Sequence, residues 1–214
     1  FEGWMERLAK AAATPPRTVV ASEGVARRKA QDGADGHAHD VDPHAWQSVG
    51  NVKIYVENIR KALAEVDPDG AAVYAANATG YARDLDALDA EIRTAVAGLP
   101  AARRKVVTTH DAFGYFAGAY GIAFIAPRGV SSEAEASARD VARIIRQIKA
   151  EKIPAVFLEN VVDPRLMQRI AAETGAKIGG ALYADSLSAP DGPAPTYLDM
   201  MRHNVRELTK ALAV

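Results

Sequence analysis

Apolar residues near the amino end of the chain recur at helical spacing. Residues 1–13 and 47–66 each carry one apolar stripe, which predicts two amphipathic helices. An Asp-Pro pair then supplies an N-cap and a first helical residue, and a further stripe runs to Gly98. A helix of about 30 residues is about 45 Å long. We therefore predict one long rod over residues 67–98.

Beyond this rod, short apolar runs alternate with amphipathic segments. The runs predict strands over 105–109, 123–126, 155–158 and 177–183. Strands that alternate with helices are typical of a parallel sheet covered by helices on both faces. A further short strand is predicted over Thr18–Ala21. It precedes a polar stretch, 27–43, which has no apolar periodicity and is predicted to be a loop.

These patterns divide the chain into three regions. Residues 1–66 are expected to belong to an amino-terminal lobe, 67–98 to form a helix between lobes, and 99–214 to form a carboxyl-terminal α/β lobe. A coiled-coil partner would also explain a long helix, but the change in sequence character across it favours a bridge between lobes. The first lobe looks truncated, because the chain opens on an apparent helix without an initiator Met.

Composition narrows the functional classes. Hydrophobic residues make up 49% and charged residues 25% of the 214 residues, which is usual for a globular protein. A formal net charge of -1 gives no basic surplus for nucleic acid and no polybasic patch for a membrane surface. The sequence has no cysteine, so any bound metal must be held by nitrogen and oxygen atoms.

Polar residues occur where predicted strands end. His110, Glu159 and Asp185 follow the first, third and fourth strands of the second region, at the edge where open parallel sheets bind ligands. His44 stands just before a helix, in the run DVDPHAW. Two imidazoles and a carboxylate suit zinc and other first-row metals. Three protein ligands with an open position also describe catalytic zinc, so a zinc-dependent hydrolase with Glu159 as its base is an alternative.

Several long runs resemble one protein family. They are VDPHAW, NVKIYVENIRKAL, KVVTTHDAFGYFAGAYGI, VFLENVVDPRL and GGALYADSLSAPDGPAPTYLDMMRHNV. In this order they look like the zinc/manganese-type solute-binding proteins of bacterial ABC metal importers. The resemblance implies two (β/α) lobes with mainly parallel sheets, joined by one long rigid helix. It also implies a monomeric, non-enzymatic, periplasmic or lipid-anchored receptor that captures a metal with high affinity and delivers it to a membrane ABC permease.

The same resemblance implies a ligand set. His44, His110 and Asp185 occupy the family's ligand positions, and a further histidine ligand is expected upstream of Phe1. Zinc-type members carry histidine at the position of His110, and manganese-type members often carry glutamate there. We therefore expect Zn²⁺, with Mn²⁺ as the alternative.

For three further sets of residues the sequence allows more than one role. Glu159 is expected to accept a hydrogen bond from a ligand imidazole or from a nearby backbone group, or else to cap the helix that begins near Asp163. His37 and His39 lie in the polar loop, where zinc-type members carry a His/Asp-rich segment. They could collect metal, make the protein a metal store with several weak sites, or simply be solvated. His203 is expected to be a surface or internally satisfied residue, without a ligand role.

Overall fold

The computed structural model describes residues 5–12, 14, 16–30, 41–130 and 136–213. Within these residues, the helices and strands follow one another in the order α1 (Met5–Ala11), α2 (Val49–Val66), α3 (Ala71–Ala97), β1 (Lys105–Val107), α4 (Gly114–Tyr120), β2 (Ala123–Ile125), α5 (Ala138–Glu151), β3 (Ala155–Glu159), α6 (Arg165–Thr174), β4 (Lys177–Leu182) and α7 (Tyr197–Leu212). The loop histidines His37 and His39 lie outside the described residues.

The four strands form one sheet in the order β2-β1-β3-β4, and every neighbouring pair is parallel. The predicted α/β class with a parallel sheet is therefore confirmed. The carboxyl ends of β1, β3 and β4 lie along the same edge. The segments that follow these strands are consequently brought close together.

The strand predicted over Thr18–Ala21 is wrong. Residues 16–20 have no regular secondary structure and belong to no sheet ladder, and 21–24 form a turn. Val19 and Val20 are 45% and 57% exposed. A strand is stabilised by hydrogen bonds to a neighbour, and no segment in the described part of the chain supplies one here.

The core has two layers, one on each face of the sheet. Alternate strand residues point to opposite faces, so Val106 and Phe157 join one cluster while Val107 and Val156 join the other. The first cluster packs against α3, α4 and α7, and the second packs against α5 and α6. This packing fixes the sheet edge on which the polar residues stand.

The long helix α3 has 27 residues and spans about 40 Å. It follows a 3-10 turn over Pro68–Gly70, in which the Asp67 side chain accepts a hydrogen bond from the Gly70 backbone N–H. The buried side chains of α3 all lie in its second half: Leu85, Leu88, Ile92 and Val96. The helix contacts α2 as well as α7, so α3 joins the amino-terminal helices to the sheet core. None of the described helices combines the length and the apolar character that crossing a membrane requires.

Candidate metal centre

His44 is held by an aspartate two residues before it. Asp42 Oδ1 accepts a hydrogen bond from the His44 backbone N–H at 3.0 Å and lies 2.9 Å from the ring atom Nδ1. Both side chains are fully buried. A carboxylate only accepts hydrogen bonds, so Nδ1 carries the hydrogen. In the neutral ring this leaves the lone pair on Nε2, the atom that faces the centre.

His110 is held in the same way by the neighbouring strand. Glu159 is the last residue of β3, which pairs with β1, and its Oε1 accepts from the backbone N–H groups of Thr109 and His110 at 2.8 and 3.1 Å. Its Oε2 pairs with His110 Nδ1. Both carboxylate oxygens of Glu159 are thus engaged at residues 109–110. The alternative role as a helix cap is taken by Asp163, which accepts from the Arg165 N–H at the start of α6.

Asp185 is carried to the site by the segment after β4. The Ala184 carbonyl accepts hydrogen bonds from Trp46 Nε1 at 3.0 Å and from Gln47 Nε2 at 3.2 Å. Because both donors closely follow His44 in the chain, these bonds tie the His44 turn to the backbone beside Asp185. The same turn is also bound by Tyr197, whose hydroxyl donates to the Trp46 carbonyl at 2.8 Å.

The three candidate ligands converge. Asp185 Oδ1 lies 3.3 Å from His44 Nε2, and its Oδ2 lies 3.2 Å from His110 Nε2. One donor atom from each residue lies within 4.8 Å of the others, and within the described ranges no other three side chains of this kind form such a group. Tetrahedral zinc bonds of about 2.0–2.2 Å place neighbouring donors about 3.4 Å apart. The arrangement therefore fits a small divalent cation.

Three of the donor atoms make no hydrogen bond within the described part of the chain, although Asp185 forms ion pairs with the imidazoles. His110 Nε2 and both Asp185 carboxylate oxygens are buried, and among the described residues they make no hydrogen bond of acceptable geometry. Buried polar atoms without hydrogen bonds are costly, and in native proteins they usually face an ion, a ligand or a water. A cation at the centre would satisfy all three atoms at once.

Without a cation, protons balance the charge of this cluster. Burial lowers the pKa of His110, but the opposing effects of Asp185 and Glu159 are larger together and raise that pKa to about 10. Burial likewise lowers the pKa of His44, which Asp185 and Asp42 raise above its ordinary value. Burial raises the pKa of Asp185, but the two imidazoles hold it well below its usual range. A metal must therefore displace protons from the imidazoles.

The structure brings together the three residues that the sequence predicts as ligands, and it places Glu159 behind His110. His203 lies apart on α7, where its Nε2 donates to the Ala181 carbonyl at 2.9 Å and its ring packs against Tyr183. Sequence reasoning missed Asp42. The available signal was its position two residues before His44, the spacing at which an aspartate bonds the backbone of a turn.

The chain matches known proteins along nearly its whole length. Residues 1–211 match the family described as ZnuA, zinc-uptake complex component A, periplasmic. The iron-binding protein YfeA of Yersinia pestis is 37% identical over 210 residues, which are 98% of this chain and 67% of that protein. The manganese-binding lipoprotein MntA of Halalkalibacterium halodurans is 35% identical over 213 residues, 100% of this chain and 69% of that protein.

The fold of this chain also matches that of a solved structure. The periplasmic zinc-binding protein TroA of Treponema pallidum superposes with a TM-score of 0.86 at 30% identity, over 97% of this chain and 75% of that one. The three proteins are named for iron, manganese and zinc. The likeness therefore indicates a metal-binding protein without selecting the ion.

We expect the metal-free protein to lose stability as the pH rises from about 6.5 to about 10. The pKa of His110 is about 10 in the folded protein, against an ordinary value of 6.5. The stabilisation that protonated His110 gives the folded state is complete below the unfolded pKa. It disappears as the pH approaches the folded pKa. The raised pKa of His44 acts in the same direction. Thermal unfolding followed by circular dichroism in the presence of a chelator measures the effect.

The matched control is His110→Asn, which cannot take up a proton. In this variant the decline in Tm over the same pH range should be much smaller. Equal declines in the two proteins would contradict the assigned charge balance.

Proposed function

This chain belongs to the ZnuA family of metal-binding receptors that serve ABC importers, and on that premise we propose that it captures zinc outside the cytoplasm and delivers it to an ABC permease in the membrane. The observation that carries the proposal is the convergence of three donor side chains from distant parts of the chain, with both histidines buried. Zinc is the cargo. It would be bound through Nε2 of His44, Nε2 of His110 and the Asp185 carboxylate.

Zinc is favoured over manganese by the chemistry of these donors. Imidazole nitrogens suit zinc, whereas manganese is better served by carboxylate, carbonyl and water oxygens. Two of the three donors are nitrogens, and the nearby carboxylates of Asp42 and Glu159 are turned toward the far ring nitrogens of the two histidines. Manganese is the alternative, because a relative as similar as MntA is named for it.

We infer that the fourth coordination position takes a histidine from sequence ahead of Phe1, as the family resemblance implies. Zinc sites usually have four ligands, and the proposed set provides three. The chain spans 67% of the length of YfeA and 69% of the length of MntA.

The hydrolase alternative has little chemical support. Members of this family are receptors and not enzymes. The base that a hydrolase would need was assigned to Glu159, but both oxygens of that side chain already accept from Thr109 and His110. A carboxylate held in this way orients a ligand and is not available to activate water.

The proposed architecture places the site between two lobes, residues 1–66 and 99–214, with 67–98 as the bridge. Its support is the continuity of α3 and the burial of that helix against the sheet core. A helix bends sharply only at a proline, a bulge or another local interruption, and α3 contains no proline. Zinc would therefore rearrange side chains and loops at the centre more than it moves the lobes.

Replacing any one of the three donors should weaken zinc binding by more than about 100-fold, beyond the 10–100-fold typical of a lost outer partner. Suitable variants are His44→Ala, His110→Ala and Asp185→Asn, because each removes a donor atom or its charge. Affinity is measured by competition with a fluorescent zinc chelator. His203→Gln is the control, since the hydrogen bonds of His203 go to groups on β4 and α7. A donor variant with unchanged affinity would refute the proposed site.

Competition between zinc and manganese for the same protein tests which of the two metals it prefers. We expect zinc to displace bound manganese fully at equal concentrations, because the donors are rich in nitrogen. The exchange can be followed by electron paramagnetic resonance, in which free manganese gives a strong signal. Retention of manganese against an equal amount of zinc would assign the receptor to the manganese type.

Small-angle X-ray scattering tests the rigid bridge. With α3 continuous across the molecule, the radius of gyration should be the same within error before and after zinc is added. The forward scattering should give the mass of a monomer. His110→Ala with zinc serves as the unloaded reference. A clear contraction that appears only in the wild type would show lobe closure and contradict a rigid connection.

A further inference from the structure

Arg28 joins the segments that carry the two histidines. Its backbone carbonyl accepts from the Asp42 N–H at 2.8 Å, and its own N–H donates to the Tyr115 hydroxyl at 2.9 Å. Asp42 supports His44, and Tyr115 lies in α4, the helix that follows His110. These two hydrogen bonds hold the backbone of Arg28 independently of its side chain.

The side chain of Arg28 reaches the carboxylate behind His44. Its Nε lies 3.3 Å from Asp42 Oδ2, and the Arg28 side chain is 34% exposed while that of Asp42 is fully buried. The contact is an ion pair without the geometry of a hydrogen bond, and it is the nearest charge to an oxygen that accepts no hydrogen bond among the described residues. The two oxygens of Asp42 are thus divided between partners. Oδ1 faces the backbone and ring nitrogens of His44, and Oδ2 faces the guanidinium.

A glycine makes room for this guanidinium. A Cβ at Gly114 would overlap Arg28 Nε and would lie 2.7 Å from Cζ. Gly114 is buried and is the first residue of α4. Arg28 is therefore seated between the Asp42 carboxylate and the backbone that continues from His110, in a space that a larger residue at 114 would occupy.

We propose that Arg28 is a positioning residue for the metal centre: its guanidinium, seated between Asp42 and Gly114, fixes the Asp42 carboxylate and through it the direction of the His44 imidazole. The inference rests on the proposed function and extends it to a residue that touches no ligand atom itself. The hydrogen bonds of Asp42 all go to Oδ1, so the carboxylate can still rotate about the bond that carries it. The charge of the guanidinium at the other oxygen restricts that rotation and so helps to keep Nε2 directed at the cation.

Replacement of the Arg28 side chain separates this role from the backbone contacts. Arg28→Ala should weaken zinc binding by about 10–100-fold, as for other outer partners of metal ligands. Arg28→Lys should recover part of this loss, because it restores a positive charge but not the planar group. Arg169→Ala removes an exposed arginine that pairs with Glu173 on α6, and it should leave the affinity unchanged.

Gly114→Ala gives an independent test through a double-mutant cycle. Alone, it should weaken zinc binding because the new methyl group displaces the guanidinium. In the Arg28→Ala background it should have little further effect, since the displaced group is absent. Equal effects in both backgrounds would show that Gly114 acts through the backbone of α4 and would overturn the proposal.

Nitrogen NMR of the histidine rings distinguishes positioning from general loss of structure. In metal-free Arg28→Ala, the His44 Nδ1 resonance should shift or broaden while that of His203 stays in place. Circular dichroism should match the wild type. Unchanged His44 resonances together with unchanged zinc affinity would refute the role of Arg28.

Failure of the proposed function and failure of the Arg28 role give different binding results. If neither the wild type nor His44→Ala binds zinc tightly, the proposed function fails. If the wild type binds zinc tightly and His44→Ala does not, but Arg28→Ala binds like the wild type, only the role of Arg28 fails.

Discussion

The metal centre depends on one constraint: charged groups that have been removed from water must have partners. Asp42, Glu159 and Asp185 bring three carboxylates into a space shared with two imidazoles. A buried ionised group costs several kcal/mol unless it is paired. The surrounding structure provides such pairs for Asp42 and Glu159 through backbone N–H groups and ring nitrogens. Asp185 instead pairs with the two imidazoles, or with a cation that replaces their protons.

The two imidazoles meet this constraint by different means. The support of His110 comes from the sheet, because the hydrogen-bonded neighbours β1 and β3 place Glu159 beside residues 109–110. The support of His44 comes from a turn outside the sheet, which depends on Asp42 and on the Arg28 contacts. One ligand is thus built on a rigid frame and the other on irregular backbone. We expect the second to be more sensitive to changes in its surroundings.

The sequence was informative where its patterns are local. Strand ends and helix caps located His110, Glu159 and Asp185 at one edge of the sheet, and the stripe to Gly98 predicted the long helix. The strand at Thr18–Ala21 failed because a β-branched run becomes a strand only with a neighbour, and that neighbour is a property of the fold. The contact between Arg28 and Gly114 could not be anticipated, since it joins residues 86 positions apart whose types are common in any loop or helix. The ligand identities came from family resemblance, because spacing alone left several chemistries open.

The same charge balance explains how a receptor could hold a cation firmly and still release it. In the metal-free site the imidazoles keep protons, and the Asp185 carboxylate has a partner. A cation takes over that pairing when it enters, and protons leave. The carboxylate is therefore paired in both states, so neither loading nor release exposes an unbalanced buried charge. In the proposed function, release of the metal would return protons to the imidazoles, and the His44 turn is the part of the site whose support lies outside the sheet.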